Sequence, residues 1–348
     1  MSISPDPPHL MLAQHQTAQT LMQMVNGFWV SQMIGVAARL RIADLVADEP
    51  KSAAELAETT GTHALSLYRL LRSLASVGVF AEDEQGRFRL TPLAEGLRMD
   101  VPGSLRDWTI FFTSEYVWRP WGNLLYSVTT GETAFSQIYG TSNWEYRTHH
   151  PAANAVFNAA MTAMAAVRTA AVLAAYDFSG IDTLVDVGGG QGATIAAILR
   201  TNPMMQGVLF DLPHVVSGAG PLLESAGVAE RCKIVGGDFF EAVPSGGDAY
   251  LLTKVIHDWD DTQATAILSS CRRAIRADGK LLVVDAVVPA GNNPHPGKLS
   301  DMNMLVINAG GRERTEAEFE ALLKAAGFRL TRIVSTRGES SVIEGAPM

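Results

Sequence analysis

The chain has 348 residues, 47% hydrophobic and 18% charged, which suits two globular domains with sizeable cores and excludes a disordered protein. A net charge of −9 argues against general affinity for nucleic acid or an anionic membrane. The two cysteines, Cys232 and Cys271, fit neither a disulfide framework nor a zinc site, so a reducing cytoplasm is the expected compartment.

Residues 1–16 read as a loose arm. They contain Pro5, Pro7 and Pro8 and lack the basic and apolar regions of a secretory signal. From about Thr17 to Ala47 the chain reads as helices apolar on more than one face, with Met22, Met24, Phe28, Trp29, Met33 and Ile34. Such helices need cover, and at a chain end a partner subunit is the expected one. Ser52 with Glu55 three residues on is a capping box for a short helix ended by Gly61. A second helix spans His63–Val77, with Leu67, Leu70, Leu71 and Leu74 at helical spacing. Val79–Ala81 and Arg87–Leu90 then flank an acidic turn. Helix, helix, wing is a winged-helix order over residues 17–103, and it raises a DNA-binding regulator as an alternative. Charge counts against that: residues 51–99 carry six basic and six acidic side chains, with no phosphate-neutralising excess.

Residues 104–178 read as a helical, aromatic connector, part core and part lining for a flat apolar ligand. After Gly180 strands and helices alternate, the pattern of an α/β doubly wound, Rossmann-like sheet over residues 179–348. Strands are expected at Thr183–Val187, Gly207–Phe210, Lys233–Val235, Ala249–Thr253 and Lys280–Val288, with two more near Arg329–Ser335 and Ser341–Glu344. The first strand, with Asp186 in it, runs into Gly188-Gly189-Gly190-Gln191-Gly192 and then a helix. Gly188, Gly190 and Ala193 satisfy the relaxed dinucleotide pattern, so the loop reads as a nucleoside-cofactor loop.

In such sheets ligands bind beyond the carboxyl ends of the strands. Asp211 lies there, placed to accept from ribose hydroxyls. Asp238 and Phe239 lie there too, suited to an exocyclic amine and a ring face. His257 follows the fourth strand on the same side, where a histidine is a candidate general base. Asp285 and Glu313 are candidates to converge on it and fix its tautomer. Asp258, Asp260 and Asp261 are expected to cap the next helix rather than to hold a metal, and no metal is expected.

Five blocks together resemble one family: Leu184–Gly192, Phe210–Val216, Gly237–Phe240, His257–Trp259 and Gly310–Thr315. In this order they resemble the S-adenosylmethionine-dependent small-molecule O-methyltransferases of the plant caffeic acid type and their bacterial relatives, over most of the chain. The resemblance implies a homodimer formed by a winged-helix-like N-terminal domain. It implies that S-adenosyl-L-methionine is consumed to S-adenosyl-L-homocysteine. It places the cofactor's methionine by Gly188, with Asp186 at the end of the preceding strand and Gly190 in the same loop. The ribose falls by Asp211 and Leu212, and the adenine by Asp238 and Phe239, with Thr253 and Trp259 completing the site. His257 corresponds to the catalytic base, Glu313 to one supporting acid, and Asp285 to a second that is usually a glutamate. Phe157, Met161, Asp258, Met304 and Asn308 fall at substrate-pocket positions. Plant members carry a lysine four residues before the histidine. Here Thr253 stands there, and Lys254, one step along, is given no cofactor role because one step on a strand reverses the face. The expected reaction is methylation of a hydroxyl on a small aromatic acceptor. The alternatives are N-methylation, a non-methylating decarboxylase or hydroxylase on the same fold, and, on the glycine loop alone, a nicotinamide oxidoreductase.

Overall fold

The structure, a computed structural model, describes residues 8–348, with side chains from residue 16. The chain divides into two compact units, with the boundary between Ser114 and Glu115. That is later than residue 103, so helix Arg106–Phe112 belongs to the first unit, where the Arg39 guanidinium donates to the Ile110 carbonyl. Residues 115–178 share a unit with the sheet.

The N-terminal unit opens with helices Pro8–Val25 and Gly27–Arg39. The expected loose arm is therefore corrected: its residues 8–16 belong to a helix, and its residues 1–7 lie outside the described residues. These helices leave much apolar surface uncovered, with Met24 74% and Trp29 54% exposed. Beyond them β1 (Lys51–Ser52), helices Ala53–Thr60 and Ala64–Ser76, β2 (Phe80–Glu82) and β3 (Arg87–Leu90) form the winged helix, with sheet order β1-β3-β2. Local chemistry sets these elements. The Ser52 hydroxyl accepts from the Glu55 N–H while the Glu55 carboxylate accepts from the Ser52 N–H, a complete capping box. Asp83 accepts from the Gln85 and Arg87 N–H groups and closes the wing turn. Leu56, Leu71, Leu74, Phe80 and Phe88 are buried between the helices and the wing.

The second unit is built on seven strands: β4 (Thr183–Val187), β5 (Gln206–Asp211), β6 (Cys232–Gly236), β7 (Ala249–Thr253), β8 (Lys280–Asp285), β9 (Phe328–Ser335) and β10 (Ser341–Pro347). Their order is β6-β5-β4-β7-β8-β10-β9, parallel except for β10, which runs antiparallel to both neighbours. The chain leaves β4 toward β6 and returns to β7, so the switch point lies between β4 and β7. Both faces are covered. Leu184, Leu209, Leu251 and Leu282 feed one core, and Val185, Tyr250, Leu252 and Val283 the other. β8 ends at Asp285, short of the expected Val288, and Val287 instead bridges to Arg314. That exit brings the 313 region beside the end of β8.

Helix Pro151–Ala175 is long and apolar enough by length and composition to cross a membrane. It carries Arg168, however, and packs on helix Ala193–Thr201, with Thr169 and Thr194 hydroxyls 3.3 Å apart. It is a helix of this unit.

Candidate active site

At the switch point β4 runs directly into the glycines. Gly188 has φ +70°, and a Cβ there would meet Val255 at 2.7 Å, so only glycine allows this turn to lie against the β7 exit. Asp211, at the end of β5, accepts from the Gly190 N–H at 2.8 Å and the Leu212 N–H at 2.7 Å through separate oxygens. Each oxygen keeps a lone pair for a further donor. Asp238 accepts from the Phe240 N–H, and Phe239 packs edge-on against Trp259. Among the described residues, both oxygens of Asp186 and the hydroxyl of Thr253 are buried without a hydrogen-bond partner. Burial, then the neighbouring Asp211, pushes the Asp186 carboxyl up to about 7. Orphaned polar atoms around a glycine cradle are the mark of a site shaped for a polar ligand. The cradle, the ribose-type carboxylate and the aromatic pair fit S-adenosylmethionine.

His257 lies on the short helical turn after β7, buried, with its Nδ1 2.8 Å from Oε1 of Glu313. An ionised carboxylate accepts only, so Nδ1 carries the proton and Nε2 is left with its lone pair. Glu313 Oε1 also accepts from Ser300 at 2.7 Å and from Lys254 at 3.1 Å. Burial opposes ionisation of Glu313, but His257, Lys254 and Ser300 outweigh it and hold the carboxyl well below the usual carboxylate range. Asp285 offers an oxygen within 4.8 Å of the ring and of Glu313, yet neither of its oxygens has a hydrogen-bond partner. Burial raises its carboxyl to about 6 against the pull of His257 and Lys254. The acid on the far side of the ring is Asp258, with Oδ1 3.6 Å from Nε2. Of the three acids expected to cap the following helix, only Asp260 does so, accepting from the Gln263 N–H. Asp258 points instead at the histidine, because the turn ends before it can reach the helix.

Burial and Lys254 both lower the His257 pKa. Asp258, Glu313 and Asp285 together outweigh them, so the imidazole sits above its ordinary 6.5. The other pocket residues are spread around this pair. Asn308 donates to Asp258 at 2.6 Å and touches the Met304 sulfur. Phe157 packs edge-on against Trp144 under the Arg147 guanidinium. Met161 follows one turn along that helix, half-buried.

Four basic side chains in this unit were given no role by the sequence reading. Lys254 has φ +54°, and this left-handed backbone swings its ammonium onto Glu313. Nothing in the sequence signals a left-handed lysine. Arg314 is fully buried and donates to the Ile256 and Trp259 carbonyls and to Asp261. Arg147 belongs to a buried polar chain described below. Arg168 lies on the Phe157 face of its helix, eleven residues or about three turns on. Among the described residues it forms no hydrogen bond or ion pair, although Glu339, Asp285 and Glu313 act on its charge.

The comparisons with known proteins agree with this geometry. Residues 121–329 match an O-methyltransferase domain and residues 22–99 an O-methyltransferase dimerisation domain. The chain is 48% identical to phenazine O-methyltransferase PhzM of Lysobacter antibioticus, over 94% of this chain and 96% of that one. The LaPhzM crystal structure superposes with a TM-score of 0.92 at 48% identity, covering 95% of this chain and 99% of that one. The phenazine-1-carboxylate N-methyltransferase of Pseudomonas aeruginosa is 35% identical over 94% and 97% of the two chains. NcsB1, an O-methyltransferase from neocarzinostatin biosynthesis, was solved with S-adenosyl-L-homocysteine and 1,4-dihydroxy-2-naphthoic acid. It superposes with a TM-score of 0.78 at 35% identity, over 91% of this chain and 96% of that one. With a glycine cradle, a ribose-type carboxylate and a dimerisation domain in place, the chain belongs to the S-adenosylmethionine-dependent O-methyltransferases.

Proposed function

We propose that this enzyme methylates a hydroxyl on a small, flat aromatic acceptor, with His257 as general base. The observation that carries the reading is the 2.8 Å bond from Nδ1 to Glu313, which fixes the tautomer and leaves Nε2 free to accept a proton. When bound, the cofactor supplies a sulfonium methyl already activated for transfer. The chain's task is to orient the acceptor and take its proton. A phenol titrates near 10 and is protonated at neutral pH, so a positioned base is needed. His257 takes that proton at Nε2. Glu313, hydrogen-bonded at Nδ1, and Asp285, close by in a dry surrounding, stabilise the imidazolium that forms. Phe157, Met161 and Met304, with Trp144 beside them, supply aromatic and thioether surface for a planar ring. The relatives named for phenazine and naphthoic acid chemistry support that acceptor class.

On the cofactor side, Gly188 and Gly190 let the loop backbone lie close against the methionine end, Asp211 and Leu212 hold the ribose, and Asp238 and Phe239 hold the adenine. Asp186, Thr253 and Trp259 line the same hollow. A second copy of this chain covers the exposed apolar helices before residue 40. We place the enzyme in the cytoplasm, acting on a small molecule rather than on nucleic acid or membrane.

A second reading, N-methylation, is favoured by the 35% identity to an N-methyltransferase. It differs in its chemistry: an aromatic ring nitrogen carries no proton, so it needs no base. Incubation with methyl-labelled cofactor and a panel of phenols and aza-aromatics separates the two. Label is expected on phenolic oxygen, with calorimetry giving binding of S-adenosylmethionine and none of NAD. Label on ring nitrogen alone would replace the reading.

The raised imidazole pKa sets the pH dependence. A base must be unprotonated, so the acid limb of kcat/KM is expected above pH 6.5. Glu313→Gln removes one of the carboxylates that raise it and should move the limb to lower pH while reducing kcat. A limb that stays put in that variant would detach Glu313 from the base.

A further inference from the structure

The Asp258 carboxylate is one end of a longer chain of buried groups. Its Oδ1 accepts from Nδ2 of Asn308 at 2.6 Å. Oδ1 of Asn308 accepts from Nδ2 of Asn143 at 2.8 Å, and Oδ1 of Asn143 accepts from the Arg147 guanidinium at 2.9 Å. Asn143, Arg147 and Asn308 are all about as buried as the core, at 4–5% exposure. The middle members are separated by 165 residues of sequence.

A side-chain amide can present either its oxygen or its nitrogen to a neighbour. Here the two ends decide. A guanidinium only donates and a carboxylate only accepts. Arg147 therefore draws the oxygen of Asn143, which leaves the Asn143 nitrogen for the oxygen of Asn308, and the Asn308 nitrogen for Asp258. The polarity runs one way from a cation to an anion, and each amide is satisfied at both ends, as burial requires. We propose that Arg147 is a positioning residue for Asp258: through Asn143 and Asn308 it holds that carboxylate, ionised and in one orientation, beside Nε2 of His257. The inference rests on the reading of His257 as the base, since it is the imidazolium formed there that a fixed Asp258 would favour.

Burial leaves the Asp258 carboxyl above its ordinary value, with Glu313 adding to the rise; His257, Arg147 and Lys254 are the groups that work against it and favour the ionised form. The charged groups that act most strongly on His257 are Lys254, Asp258, Glu313 and Asp285, and Arg147 acts on the Asp258 carboxylate among them.

Truncating Arg147 would not isolate this role. Its guanidinium also covers the Phe157 ring at 3.7 Å and the Trp144 ring at 4.4 Å, and donates to the Tyr116 hydroxyl. Asn143→Asp does isolate it. The substitution is nearly isosteric and keeps an acceptor for Arg147, but the new carboxylate cannot donate. Asn308 must then turn its nitrogen to residue 143 and its oxygen to Asp258, setting two acceptors against each other. kcat is expected to fall about tenfold, the scale of one charge-assisted hydrogen bond. The acid limb should also move to lower pH, because a more easily protonated Asp258 no longer raises His257. Asp258→Asn restores a donor at the far end, so in that background Asn143→Asp should cost less than about twofold. Equal losses in both backgrounds, or no loss with Asp258 intact, would overturn the proposal.

Titration of the His257 imidazole by NMR in the full-length protein asks the same question without turnover. Asn143→Asp should lower the imidazole pKa when Asp258 is present and leave it unchanged in Asp258→Asn; an unchanged pKa in both would refute the relay. Calorimetry with S-adenosyl-L-homocysteine identifies variants that retain the fold. His257→Ala separates the two levels. Loss of transfer there together with an additive cycle would refute the relay alone, whereas retained transfer would refute the base.

Discussion

Replacing His257 with alanine is expected to lower kcat for a phenolic acceptor by about 10²- to 10⁴-fold, the range that general-base catalysis supplies. Affinity for the methyl donor should change little. The contacts of His257 run to Glu313 and Asp258, not to the glycine loop or to Asp211. The pH dependence of the residual rate is the sharper measurement. Without a base, only acceptor already ionised in solution can react. The rate of the variant should therefore climb with pH toward the phenol's own pKa near 10, where the parent enzyme has long since levelled off. Adding imidazole to the buffer should recover part of the loss, because alanine leaves a cavity of that shape. A variant that turned over at the parent rate at pH 7 would end the base assignment. A variant that lost cofactor affinity instead would move His257 from the chemistry to the cofactor site.

Why some of this was legible in the sequence and some was not follows from range. The sheet was legible because its parallel strands are short, largely apolar runs bounded by turn residues. β4 and β7 fall at their expected bounds, and β5 and β6 within one residue at each end. His257, Asp211 and Asp238 could be placed near one another without coordinates, since a strand's carboxyl end is a topological address. What failed were inferences that depend on side-chain direction. Asp258 looks like a capping residue in a run of acids, and only the turn at Ile256–Asp258 aims it at the ring. Lys254 lies one residue beyond β7 with a left-handed φ, and its contact with Glu313 is signalled by no motif. Asn143 and Arg147 carry no motif at all. They matter only through Asn308, which the fold brings to them from far along the chain. Residues 8–16 were misjudged for a different reason: a proline at a helix start, as Pro8 is, is compatible with the first turn.

The buried guanidinium of Arg314 carries the largest expected effect on stability. It has no exposed surface and donates four hydrogen bonds: one to the Ile256 carbonyl, one to the Trp259 carbonyl and two to Asp261. Those carbonyls bracket His257 and Asp258, so one side chain ties the catalytic turn to the 310–315 segment. The same contact is reinforced from the backbone, where the Arg312 N–H donates to the His257 carbonyl at 2.8 Å. The packing is close enough that a Cβ on Gly311 would come within 3.0 Å of that carbonyl. Arg314→Met keeps most of the volume and removes every donor. Two carbonyls then lose their partners in the interior, at a cost of about 3 kcal/mol. For a unit of this size that corresponds to a fall in Tm of roughly 6 to 12 °C. The Asp261 contribution is smaller, since that carboxylate is 59% exposed and water can replace the guanidinium. Below its melting temperature the variant should still bind S-adenosyl-L-homocysteine, because the glycine loop and Asp211 lie on other strands. Its kcat should fall, because the turn carrying His257 is no longer fixed against Glu313. Arg314→Lys, with one point donor in place of a fork, should recover only part of either loss. A methionine variant that melted with the parent protein and kept its kcat would show that the backbone contacts alone hold the catalytic turn.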